Sequence, residues 1–197
     1  MSLVVEKYFF HINYKCVNHI IIMSKTDRAD KVQLQIFYSC AVVIILLDQL
    51  TKYLAQSALR GQPAQIFLGD FFRFDYAENP GAFLGMGDNL SHPTRFLIFT
   101  LLVTAMMLVL AVILHLKKFT RNEAWAYSLV FAGGVGNVID RAFRTEGKVI
   151  DFMNMGIGSL RTGIFNVADM AIMAGLILIL FSSKKADSKS QAPRSST

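Results

Sequence analysis

Phe96-Leu-Ile-Phe-Thr-Leu-Leu-Val-Thr-Ala-Met-Met-Leu-Val-Leu-Ala-Val-Ile-Leu-His-Leu116 contains no ionisable side chain except His115. An apolar run of about 18 residues or more reads as a membrane-spanning helix, because lipid supplies no partners for backbone N–H and C=O groups and a helix satisfies its own. Three more runs of the same kind lie around it. Val32 to Leu47 is continued by the more polar Asp48 to Ala55, Ala124 to Ile139 is glycine-rich towards its end, and Ile164 to Phe181 is broken only by Asn166 and Asp169. The whole chain agrees: 53% of its 197 residues are hydrophobic and 17% charged, and its mean hydropathy is +0.42, whereas soluble domains carry about 25% charged residues. The expected fold class is an all-α polytopic membrane protein with four transmembrane helices and a small extracytoplasmic β-cradle.

The formal charge of +6 is placed as membrane topology requires and not as a nucleic-acid footprint. Lys25, Arg28 and Lys31 precede the first run. Lys117, Lys118 and Arg121 fill the short link after the second, and Lys184, Lys185, Lys189 and Arg194 follow the fourth. Cytoplasmic flanks carry such an excess of Lys and Arg. Both termini are therefore expected in the cytoplasm, although Arg141, Arg144, Lys148 and Arg161 dilute the rule on the outer side. The chain divides into a cytoplasmic extension, 1–31, that is a candidate for disorder, a membrane core, 32–183, and a polar cytoplasmic tail, 184–197. Within the core the long outer loop, about 56–93, alternates aromatic and polar residues around Phe71-Phe-Arg-Phe-Asp-Tyr76, which suits short strands. Asn79-Pro-Gly81 marks a turn. Lys148-Val-Ile-Asp-Phe152 in the third loop is also strand-like.

Polar residues inside membrane helices are costly and are functional candidates by default. Here they fall at one depth. Asp48 lies near the outer end of the first span, Asn137, Asp140 and Arg141 end the outward-running third, and Asn166 and Asp169 occupy the start of the fourth. Asn79 and Asp151 sit in the two outer loops. Asn137, Asp140 and Arg141 share a helical face, as do Asn166 with Asp169 and Asp48 with Lys52. Gly133, Gly134 and Gly136 allow close helix approach around them. A proton or ion relay would instead spread its acids across several depths. A scaffold protein would use the same cluster merely to join helices.

Among catalytic chemistries, serine, cysteine and zinc hydrolysis are disfavoured. His11, His19, His92 and His115 lie away from the cluster, Cys16 and Cys40 lie before or within the first span, and there is no helical pair of metal ligands. No metal or other cofactor is expected. Carboxylates remain: two held close share one proton, so that one activates water and the other donates. Asp48, Asp140, Asp151 and Asp169 are all at the right depth. Asp48 has Lys52 four residues on and Asp140 is followed by Arg141, which suits structural ion pairs. Asp151 and Asp169 have no adjacent cation, which favours them without closing the other options.

At these residues the sequence resembles the lipoprotein signal peptidase (signal peptidase II) family, the bacterial membrane aspartic proteases. The stretches are Asp48-Gln-Leu-Thr-Lys52, Asn79-Pro-Gly-Ala-Phe83, Gly136-Asn-Val-Ile-Asp-Arg141, Val149-Ile-Asp-Phe152 and Phe165-Asn-Val-Ala-Asp169. The resemblance implies an aspartic endopeptidase that removes the signal peptide from diacylglyceryl-modified prolipoproteins just before the lipidated cysteine. It implies a catalytic pair, Asp151 and Asp169, near the outer leaflet surface. Asn79, Gly81, Asn137, Arg141 and Asn166 would line the site, Asp48 and Lys52 would support it, and Asp140 would orient Arg141. Implied partners are prolipoproteins, membrane lipid and globomycin-type inhibitors. The stretch Ala142 to Ile150 is slightly longer than the family pattern suggests, and residues 1–22 have no expected counterpart.

Overall fold

The computed structural model describes residues 2–81 and 89–190. Ala82 and Phe83 of the Asn79–Phe83 motif, and residues 191–197 of the expected tail, lie outside them. Helix α1 runs from Ser2 to Leu59, so residues 2–31 continue the first span as helix. It stops where Gly61 takes a positive φ of 75°, a conformation without penalty only for a residue lacking Cβ. The second span begins as the short α2 (His92–Arg95), passes through a π-helical stretch (Phe96–Leu102) and continues as α3 (Val103–Leu116). Helix α4 covers Arg121–Phe143 and α5 covers Val167–Ser190.

The helix ends are closed by specific side chains. Gln33 of α1 donates to the carbonyls of Leu114 (2.6 Å) and Lys117 (2.8 Å) and accepts from the Phe119 amide (2.9 Å), satisfying the end of α3 and the turn after it. Thr120 starts α4 with a reciprocal capping box: its hydroxyl accepts from Glu123 N–H, and the Glu123 carboxylate accepts from Thr120 N–H at 2.8 Å.

Helix α4 is central and packs against α5, α1 and α3. Its glycines make this possible. A Cβ on Gly136 would stand 2.7 Å from the Asp48 carboxylate, so only glycine lets α1 and α4 meet at that height. Among the described residues two helices are long and apolar enough to cross a membrane, Asp30–Leu59 and Pro93–Leu116, and the apolar part of α5, Val167–Ser182, is shorter. The other two expected spans thus do not stand out by length and apolarity alone. The physical reason for α4 is its interior position, where its buried side comprises alanines, glycines, Ser128, Asn137 and Asp140 in place of large apolar residues.

The segments between α1 and α2 and between α4 and α5 form one antiparallel sheet in the order β1-β2-β3-β4, with β1 Gln65–Phe67, β2 Phe72–Asn79, β3 Val149–Ile157 and β4 Leu160–Arg161. The loop after α1 therefore supplies only half of the sheet, and the strand-like stretch around Lys148 to Phe152 supplies β3, one of its two inner strands. Pairing runs Phe72↔Met155 to Asn79↔Val149, with an irregularity between Phe74 and Ala77. Phe72, Phe74, Tyr76 and Phe165 pack over Ala55, Leu59, Ile150, Phe152 and Met153, seating the sheet on the C-terminal end of α1.

Candidate active site

Helix α5 begins with a reciprocal polar cap. The Asn166 side-chain oxygen accepts from the Asp169 amide at 2.9 Å, and the Asp169 carboxylate accepts from the Asn166 amide at 3.1 Å. Asn166 is thus the residue before the helix and not part of its first turn, and Asp169 is held at the positive end of the helix dipole. The Asn166 side-chain nitrogen points to β3. It donates to Asp151 at 2.7 Å and to the Ile150 carbonyl at 3.3 Å. The second oxygen of Asp151 accepts from Asn79 at 3.0 Å, because β2 and β3 run side by side and bring the end of one loop to the start of the other.

Asn137 of α4 completes the bridge by donating to Asp169 at 2.8 Å. Its orientation is forced. The Lys52 ammonium, which can only donate, reaches the Asn137 oxygen at 3.0 Å, and Asn166 donates to the same oxygen at 3.1 Å. The amide nitrogen is left facing Asp169. Three asparagines thus hold two carboxylates from different elements over one site. The Asp151 pKa is pushed up to about 7, chiefly by burial and further by the negative charge of Asp169, against the hydrogen bonds from Asn79 and Asn166.

Below this layer lies a second, buried one. Lys52 is completely inaccessible and bonds Asp48 at 2.8 Å and Asp140 at 2.9 Å. Asp48 also accepts from the Ala168 amide (2.9 Å), tying α1 to the start of α5. Asp140 accepts from the Ile150 amide (3.2 Å) and pairs with Arg144 (2.8 Å). Two carboxylates and two cations balance. The expectation that Asp140 orients Arg141 is corrected here: Asp140 bonds Lys52, Arg144 and Ile150 N–H, since consecutive helical residues point about 100° apart and Arg144, one turn on, lies on the same side. Arg141 instead donates to the Gly81 carbonyl at 2.8 Å and lies over the Phe99 ring at 5.8 Å. Gly81 N–H donates to the Asn79 side-chain oxygen at 3.0 Å, so Arg141 steadies the turn that aims Asn79 at Asp151.

All ten residues singled out in the sequence fall in these two connected layers. Gln49 and Arg144 were missed. Gln49 reaches Asp48 at 3.1 Å, Asp140 at 3.2 Å and the Gly136 carbonyl at 3.2 Å. The signal for Arg144 was its i, i+4 spacing from Asp140; nothing local marked Gln49. An apolar groove of about 440 Å³, with Phe72, Met153, Met155, Phe165, Met170 and Met173 among its walls, leads to Asp169 from the side of α5.

The chain is also similar to known proteins. The sequence model of the family described as Signal peptidase (SPase) II matches residues 40–185. A lipoprotein signal peptidase of Chlorobium phaeobacteroides is 37% identical over 156 residues, covering 75% of this chain and 89% of that protein. One from Borreliella burgdorferi is 38% identical over 144 residues, with coverages of 71% and 84%. A solved bacterial membrane enzyme superimposes with a TM-score of 0.67 at 26% identity, covering 82% of this chain and 94% of the other. A second gives 0.65 at 27%, covering 74% and 90%.

Proposed function

The chain belongs to the signal peptidase (SPase) II family, and on that premise we propose how a lipoprotein signal peptidase of this sequence works. Asp151 and Asp169 are its catalytic pair. The observation that carries this is the asparagine bridge: Asn166 donates to Asp151 at 2.7 Å while Asn137 donates to Asp169 at 2.8 Å. Asp169, held by two N–H donors at a helix N-terminus, takes a proton from the attacking water. Asp151, pushed up to about 7, is the protonated member that donates to the scissile carbonyl; the leaving amine then takes the proton that Asp169 drew from the water, and a hydroxyl of the tetrahedral intermediate returns one to Asp151. The water oxygen bonds to the carbonyl carbon, the C–N bond breaks, and the pair returns to one shared proton. Arg141, Asn79 and Gly81 shape the turn over the site, and Asp48, Lys52 and Asp140 hold the helices beneath it.

In this reading α1, the α2–α3 helix, α4 and α5 all cross the inner membrane, both ends of the chain face the cytoplasm, and the pair lies near the outer leaflet surface. The substrates are prolipoproteins bearing a diacylglyceryl cysteine, anchored by their own signal helix and lipid, and globomycin-type peptides block the same site. The core is 32–183, with flanking segments 1–31 and 184–197 on the cytoplasmic side. The test is processing of a lipidated precursor by purified enzyme. Asp151→Asn and Asp169→Asn each preserve size and are expected to lower turnover on the order of 10³-fold or more while the protein still folds in detergent. Near-parental turnover by either variant removes the assignment.

A further inference from the structure

Residues directly opposite in an antiparallel pair share a face, and residues two apart along a strand do so too. Phe67 pairs with Phe72, Phe72 pairs with Met155, and two residues further on Ile157 pairs with Leu160. One face of the sheet is therefore apolar to its free end. The other face carries Arg73 opposite Asn154 and Arg161 opposite Gly156, with Ile66 as its apolar exception. It is knitted by Arg161 donating to Asn154 at 2.5 Å and to the Asp70 carbonyl at 2.8 Å, and by a bidentate Arg73–Asp70 pair at 2.5 and 2.7 Å.

The inner part of the apolar face covers the end of α1. Its outer part covers none of the described residues. Leu68, at the β1–β2 turn, is 79% exposed, and Ile157 and Leu160, flanking the β3–β4 turn, are 78% and 83% exposed. The two turns lie at the same end of the sheet, since Gly156 N–H bonds the Phe71 carbonyl at 2.9 Å. This overhang continues through the apolar groove onto the exposed side of α5, where Met170, Met173, Ile177 and Leu180 are also uncovered.

We propose that the overhanging end of the sheet is a lipid-contacting surface, with Ile157 and Leu160 seated in the outer-leaflet hydrocarbon and the Arg73–Asp70–Arg161 cluster above them at headgroup level. The inference rests on the reading of α5 as a membrane span. Its occupant is bilayer lipid because the overhang and the exposed side of α5 form one uninterrupted apolar corner, so whatever bathes α5 also fills the space beneath the sheet. The opposite face, where Arg73 and Arg161 are both paired with Asp70, is polar and suits the headgroup layer, with apolar side chains below it.

The test places single tryptophans in a Trp125→Phe background reconstituted in phosphatidylcholine–phosphatidylglycerol vesicles. Leu160→Trp reports on the overhang and Leu180→Trp on α5. The expected result is blue-shifted emission from both, quenched several-fold more by bromine-labelled acyl chains than by aqueous iodide. Iodide quenching at Leu160→Trp, with lipid quenching retained at Leu180→Trp, overturns the inference and leaves the membrane reading of α5 standing. Protection from both quenchers at Leu160→Trp also overturns it, by showing a protein partner or second copy on the overhang. Loss of lipid quenching at both positions removes the span and the overhang together.

Discussion

Replacing Lys52 with methionine keeps a long unbranched side chain and removes only the ammonium. In the parent that ammonium, with no solvent access, bonds Asp48 at 2.8 Å, Asp140 at 2.9 Å and Asn137 at 3.0 Å. Asp140 retains Arg144, but Asp48 is left with only neutral donors, among them the Ala168 amide and Gln49. Stranding a buried carboxylate by deleting its partner costs about 3–5 kcal/mol. At about 2–4 °C per kcal/mol for a chain of this size, the melting temperature falls by roughly 6–20 °C. The change also removes one of the two donors that orient the Asn137 amide, leaving Asn166 alone at 3.1 Å, so the surviving folded enzyme loses turnover more than substrate affinity. Thermal unfolding in detergent reads the first effect, and precursor processing below the new melting temperature reads the second. Asp48→Asn combined with Lys52→Met removes the stranded charge and recovers most of the lost stability. A Lys52→Met protein as stable as the parent, or a double variant no better than the single, refutes the argument that this pair is buried and mutually dependent.

Two further outcomes follow from other parts of the molecule. Because the Asp151 pKa is raised from its ordinary value to about 7, its neutral form is favoured by folding. The associated stability is full below the ordinary carboxylate range and is lost as pH rises through about 7. The shared proton leaves over that same upper interval, so turnover falls on the alkaline side with an apparent pKa near 7 in a pH–rate profile, and a flat profile through neutral pH contradicts it. Gly136→Ala places a methyl against the Asp48 carboxylate, where a Cβ would lie 2.7 Å away, and is expected to destabilise by about 1–3 kcal/mol, measured as a lowered melting temperature. An unchanged melting temperature shows that α1 and α4 are less tightly joined there.

Much of this arrangement is readable along the chain because it depends on local spacing. Phe96 to Leu116 announces a span through composition alone. Asp48 with Lys52 and Asn166 with Asp169 announce their pairings through one helical turn, and the structure contains both contacts. Alternation in Phe71-Phe-Arg-Phe-Asp-Tyr76 foretells short strands with one apolar and one polar face. The candidate site residues were legible as a set, since polar side chains crowded at one depth of an apolar chain need one another.

Which of them meet was settled only by tertiary packing. Spacing says which side chains share a face, but not which faces of different helices touch, because that depends on contacts made across many residues. Arg141 looked like the partner of Asp140 by adjacency, yet helical rotation sends it to Gly81 and leaves Asp140 to Lys52 and Arg144. Gln49 and Gln33 carried no local mark and became joints only once α4 and the end of α3 were laid beside α1. The pairing of β2 with β3 joins segments about 70 residues apart, and it alone brings Asn79 to Asp151. Sequence determined the apolar spans and the polar inventory, since both follow from the solvation of individual side chains; three-dimensional packing decided the hydrogen-bond partners, since each is a geometric relation between distant parts of the chain.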